Sequence, residues 1–112
     1  MSGGAQLSVT DLRGSTRHTV NLPVIGEHRR LGDVMLTIVN ISTTGFMVSG
    51  HLDLGRGERI TIRLNQIGRI EAFLVWNDGE RAGFQFERIV RTDDFMKMIK
   101  GLQPGKGVRG PR

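Results

Sequence analysis

Residues 58–64 carry Ile60, Ile62 and Leu64 in strict alternation with Arg59, Thr61 and Arg63. Successive side chains on a β-strand point to opposite faces, so this period of two specifies a strand with one face buried and one in water. Residues 69–76 repeat the pattern with Ile70, Ala72, Leu74 and Trp76 on one face, and residues 81–87 turn Ala82, Phe84 and Phe86 inward. Between them stands Asn77-Asp78-Gly79. These residue types tolerate the positive φ of a tight hairpin turn. A chain with this pattern must build antiparallel sheet.

Further strands are expected at 18–25, 34–41 and 45–49. Pro23 marks an edge or bulge position in the first, because proline cannot donate to a ladder. Residues 34–41 are apolar on both faces, as in a strand buried between layers. Residues 26–32, with His28, Arg29 and Arg30, read as a polar turn, and residues 50–57 as a turn-rich connection. After residue 87 the period changes: Phe95, Met98, Ile99 and Leu102 follow the i, i+3, i+4, i+7 spacing of a helical stripe. Thr92 is the expected N-cap, and Asp93, Asp94, Lys97 and Lys100 suit the helix dipole. The spacing predicts a helix over 92–102, ended by Gly101 or Gly105 and Pro104.

The fold class expected is all-β: about six antiparallel strands, short and glycine-punctuated, curled into a small barrel that hides its edges, with one C-terminal α-helix over the wall or an open end. The 16 glycines among 112 residues favour this over a helical bundle. One domain over 12–103 is expected, preceded by a flexible arm (1–11) and followed by a disordered basic tail (104–112).

The net charge is +5 and favours anionic partners. Without cysteine, disulfides and thiolate metal sites are excluded. There is no apolar run of about 18 residues and no signal-peptide pattern at Met1-Ser2-Gly3-Gly4, so no membrane span and a cytoplasmic location are expected. No nucleophile–base pair, acid pair or metal cluster is legible, so neither an enzyme nor a cofactor is expected. His18, His28 and His51 lack metal-ligand spacing and read as surface or edge residues. Trp76, Phe84 and Phe86 read as core, and the Met96/Met98 helix face as packing.

Two short stretches remain. Asn40-Ile41-Ser42-Thr43-Thr44-Gly45 follows a strand, so Asn40 and Ser42 are expected to project together, with Ile41 turned into the fold. An amide beside a hydroxyl offers donors and acceptors suited to a base edge. Gly45 permits positive φ or close backbone approach. Taken alone, this is also the composition of a polar hairpin turn. Upstream, Arg13-Gly14-Ser15-Thr16-Arg17 places two arginines on a mobile segment entering the first strand; alone these are solvated charges.

In this order and spacing, RxxxR followed by (D/N)xSxxG resembles the signature of the PilZ-domain family, whose members bind the bacterial second messenger cyclic di-GMP. Pro23-Val24, Leu54-Gly55-Arg56-Gly57, Val75-Trp76 and Gly83-Phe84-Gln85-Phe86 resemble further parts of the family pattern. Asn40 stands for the commoner Asp, Thr44 where a second Gly is frequent, and Leu12 before the first arginine, which hints at one bound ligand molecule instead of an intercalated pair. The resemblance implies that Arg13, Arg17, Asn40, Ser42 and Gly45 hold cyclic di-GMP. Arginine forks would take phosphate and guanine, Asn40 and Ser42 the other edge of the base or its phosphate, and Gly45 would admit close backbone. Binding would then order the arm against the barrel and show a new surface to an unidentified protein partner, in control of motility, exopolysaccharide or biofilm. Two other readings stand beside it. One is a basic barrel that binds RNA or single-stranded DNA, against which the scarcity of surface aromatics argues. The other is a PilZ-like interaction module without ligand.

Overall fold

The computed structural model describes residues 16–102. The arm at 1–11, Arg13 and the tail at 104–112 lie outside the described residues. Six strands follow in order: β1 His18–His28, β2 Gly32–Ile41, β3 Gly45–Ser49, β4 Arg59–Leu64, β5 Gly68–Asn77 and β6 Arg81–Phe86, then helix α1 Thr92–Leu102. All pairings are antiparallel, and they close into a barrel in the order β1-β2-β3-β6-β5-β4. Closure gives every strand two neighbours, although β1 and β4 register at a single pair, Glu27↔Thr61.

The inward faces are those the alternation gives for β4 and β6 and for most of β5. Ile60, Ile62, Leu64, Ile70, Ala72, Leu74, Phe84 and Phe86 are all buried. Phe46 of β3 stacks on Phe84 with ring centroids 5.0 Å apart and planes 10° off parallel, and Phe86 tilts against the same ring at 5.4 Å. The hairpin turn forms as its residues require. Asn77 Oδ1 accepts from Gly79 N–H, Asp78 Oδ1 accepts from Glu80 and Arg81 N–H, and Gly79 takes φ 94°. Those backbone donors hold the Asp78 carboxyl below its ordinary range. Asn77 Nδ2 also donates to the Leu52 and Leu54 carbonyls and fastens the 50–57 connection.

Some expectations change. β1 runs on through residue 28, so the turn shrinks to residues 29–31. His28 is not a surface residue: it is buried, and its Nδ1 accepts from the Arg30 and Leu31 N–H groups at 3.1 and 3.0 Å. The proton therefore sits on Nε2, which donates to Glu58 Oε1 at 2.7 Å. Pro23 lies in β1 opposite Thr37, on a stretch not paired to β4, because that ladder registers only Glu27 with Thr61. The first intrahelical bond, from Phe95 N–H to the Arg91 carbonyl, puts the helix cap at Arg91, one residue before Thr92. Phe95, Met98 and Ile99 are buried, and Phe95 packs on His18 of β1. Met96 is exposed, since residues two apart lie on opposite sides of a helix.

Glu58 is the polar tie of the 50–57 connection. It accepts from Gly55 N–H at 2.7 Å, Arg30 at 2.9 Å and His28. The Gly55 N–H, then the Arg30 guanidinium, lower its carboxyl from 4.5 to about 2. A lowered carboxylate contributes stability that is present above its unfolded value and lost as pH falls through the folded one. Denaturation of Glu58→Gln beside wild type should show the variant less stable near neutrality, with the gap closing between 4.5 and about 2. A gap constant across that window would assign the effect to lost packing.

Candidate functional site

The site is made by two bulges. On β2, Leu36 and Ile38 point inward, so uninterrupted alternation would also bury Asn40. The register against β3 slips between Ile38 and Asn40, making Val39 an extra residue. Asn40 thereby turns outward and Ile41 inward, where it is fully buried. On β5 the register against β6 slips between Leu74 and Trp76, making Val75 the extra residue. Trp76 therefore leaves the core face and is 40% exposed. This corrects the expectation that it lies inside with Ile70, Ala72 and Leu74. Bulges re-aim side chains in this way beside functional sites.

The two re-aimed residues share one pocket of about 380 Å3 with Arg17, Met47, Val75, Gly83 and the edges of Phe46 and Phe84. That volume is in the range of small-molecule sites. Arg17 Nη1 donates to Asn40 Oδ1 at 2.8 Å, while Asn40 Nδ2 has only a long contact, 3.9 Å, to Met47 Sδ. Guanidinium donors and an amide thus meet at the rim of an apolar, partly aromatic floor. A larger groove opens elsewhere on the barrel, but these groups do not converge on it.

The other expected site residues have different surroundings. Arg13 lies outside the described residues. Ser42 does not project beside Asn40: it is 2% exposed and sits just past the end of β2. Its hydroxyl accepts from Thr44 N–H at 3.2 Å, donates toward the Gly45 carbonyl at 3.4 Å and meets Thr44 Oγ1 at 3.1 Å. Ser42 thus shapes the turn. Gly45 does not take positive φ. A Cβ there would collide with the Phe84 carbonyl oxygen and lie 3.1 Å from Gln85 Cα, so the missing side chain lets β3 lie against β6. Trp76, Met47 and Gly83 join the site without being among the residues expected there. A glycine facing an aromatic across two strands was the available signal, since a ring can cover a strand glycine.

Among the described residues, no group of three or more His, Cys, Asp or Glu is placed to hold a metal, and no helix is long and apolar enough to cross a membrane. The architecture is that of a small closed β-barrel with a surface pocket and polar groups at its rim. The family model for the PilZ domain matches residues 11–102, most of the chain, and the chain belongs to that family. PilZ domains are receptors for cyclic di-GMP and not a family of catalysts. Among curated proteins, no match to the chain is found.

A Cβ on Gly83 would collide with Nε1 of Trp76. Gly83→Ala should therefore push the indole off its seat, read as a shift in tryptophan fluorescence, at a stability cost of about 1–3 kcal/mol for local overpacking. An unshifted spectrum would place the ring elsewhere.

Proposed function

We propose that this chain is a cytoplasmic receptor domain that binds cyclic di-GMP in the Arg17–Asn40–Trp76 pocket and acts through a protein partner, without chemistry of its own. The observation that carries the reading is the 2.8 Å bond between Arg17 and Asn40, residues 23 apart, which joins the two motif halves at one pocket. A guanidinium fork matches a phosphate, or O6 and N7 of guanine, with two parallel hydrogen bonds. Trp76 offers an indole face on which a purine can stack. Asn40 can exchange its bond with Arg17 for one to the base edge. Arg13, four residues before Arg17, would supply the second cation for a doubly anionic ligand. In this reading the arm orders over the pocket when ligand binds, and the ordered arm is what a partner in motility, exopolysaccharide or biofilm control reads. The receptor unit spans 12–103, between the arm and the basic tail. Ser42 and Gly45 belong to the site through the turn that fixes Asn40.

Exposure of Trp76 supports a second reading, binding of RNA or single-stranded DNA, because it supplies a stacking surface. One ring is a short platform for an oligonucleotide.

Calorimetric titration with cyclic di-GMP tests both. Arg13→Ala and Arg17→Ala should each lose about 1.5–3 kcal/mol, the worth of charge-assisted hydrogen bonds, or roughly 10- to 100-fold in affinity, with melting unchanged. Trp76→Ala should lose about 1–3 kcal/mol. Ser42→Ala should lower both affinity and melting temperature, because its hydroxyl holds the turn. Wild type that ignores the dinucleotide and binds oligonucleotides with a steep salt dependence would replace the first reading with the second.

A further inference from the structure

The β1–β4 seam lies across the barrel from the β3–β6 seam that floors the pocket. It is incomplete. Past the single registered pair Glu27↔Thr61, β1 and β4 border a groove of about 630 Å3, lined also by Met98 and Leu102 of α1. Ile25 and Met35 stand on its rim, opposite each other on β1 and β2, and are 51% and 72% exposed. Adjoining exposed apolar side chains beside a groove are a feature of contact surfaces.

The charges there make little sense for an isolated barrel. Glu27 faces Asp33 directly, and Arg63 faces Arg69 directly. Like charges directly opposite on a sheet are destabilising. Arg69 reaches Glu27 at 3.1 Å and pairs one member of each opposition. Asp33 and Arg63 remain, both lining the groove, with no ion-pair partner among the described residues.

We propose that this face is a homodimer interface: a second copy packs on it about a twofold axis, with Ile25 and Met35 of each copy set against the groove of the other and Asp33 of each facing Arg63 of the other. Charge complementarity selects the occupant. The face holds one free anion and one free cation, so it complements itself under a twofold, whereas a partner of one sign would leave like charges opposed. Methionine at the rim suits a surface that must adapt to its own copy. The pocket at Arg17 and Asn40 is left open, so the inference does not rest on ligand binding.

Sedimentation equilibrium of the full chain from about 5 μM to about 500 μM, the span expected for a small, weak interface, is the test. Wild type should show a concentration-dependent dimer. Met35→Lys should weaken it by about 100-fold, as loss of a central apolar anchor does. Arg63→Glu should weaken it by about 10-fold through two rim pairs, and adding Asp33→Arg should restore it. All variants should still melt cooperatively in dilute solution, where the chain is monomeric, and should still bind cyclic di-GMP. Wild type monomeric throughout, or a dimer indifferent to Met35→Lys, would overturn the proposal. Failure of Asp33→Arg to rescue Arg63→Glu would overturn the twofold pairing.

Discussion

The barrel depends on the approach of β3 to β6, which is possible only because position 45 has no side chain. Gly45 sits opposite Gln85 and under the Phe84 carbonyl. With the strands this close, Phe46 stacks on Phe84, and the two rings fill the middle of the core. The same approach lets the Thr43 and Thr44 carbonyls accept from Val90 and Phe86 N–H at 2.9 and 2.8 Å. The turn after β2 is thereby pinned to the far end of β6, and Asn40 stands at a fixed place on the wall. A methyl group at 45 would act on the packing first and on the pocket second.

A closed barrel of this size has no interior to spare for a ligand, so binding groups must be carried on its outside. Regular alternation resists this, since it sends apolar residues in and the wrong polar residues out. The bulges at Val39 and Val75 resolve the conflict with one extra residue each. They leave Ile38 and Leu74 in the core while turning Asn40 and Trp76 to the same outer pocket. Rigidity of the wall and exposure of the site are then no longer in competition, which is the condition for a preformed receptor surface.

Legibility in the sequence followed the same division. β4, β6, the Asn77-Asp78-Gly79 hairpin and the helix were legible because each is set by local rules of period, turn chemistry and apolar stripe. Trp76 was not. Its expected face came from counting in twos along β5, and the count fails by one where the register against β6 slips. The burial of His28 is not legible locally, because it depends on Glu58, thirty residues away, and on two backbone donors in its own turn. Gly45 was marked as special, yet the reason is the proximity of β6 and not a positive φ. The family resemblance names Arg17 and Asn40 together as ligand-binding residues, but their direct contact is not legible, since nothing local couples two polar residues at that distance along the chain.

The pocket and the open seam are joined by a short physical route. The turn that carries Asn40 is bonded through Thr43 to Val90, which immediately precedes the Arg91 cap of α1. The other end of that helix, Met98 and Leu102, lines the groove beneath β1. β1 itself begins one residue after Arg17 and pairs Thr19 with Asn40 before running on to Ile25 and Glu27. The turn and Arg17 are thus joined to the far face by two elements, one through hydrogen bonds and the other through the strand's own backbone. β1 meets β4 at the single registered pair Glu27↔Thr61. The gap in the ladder exposes an apolar groove, and β1 is the strand that connects this groove to the polar rim.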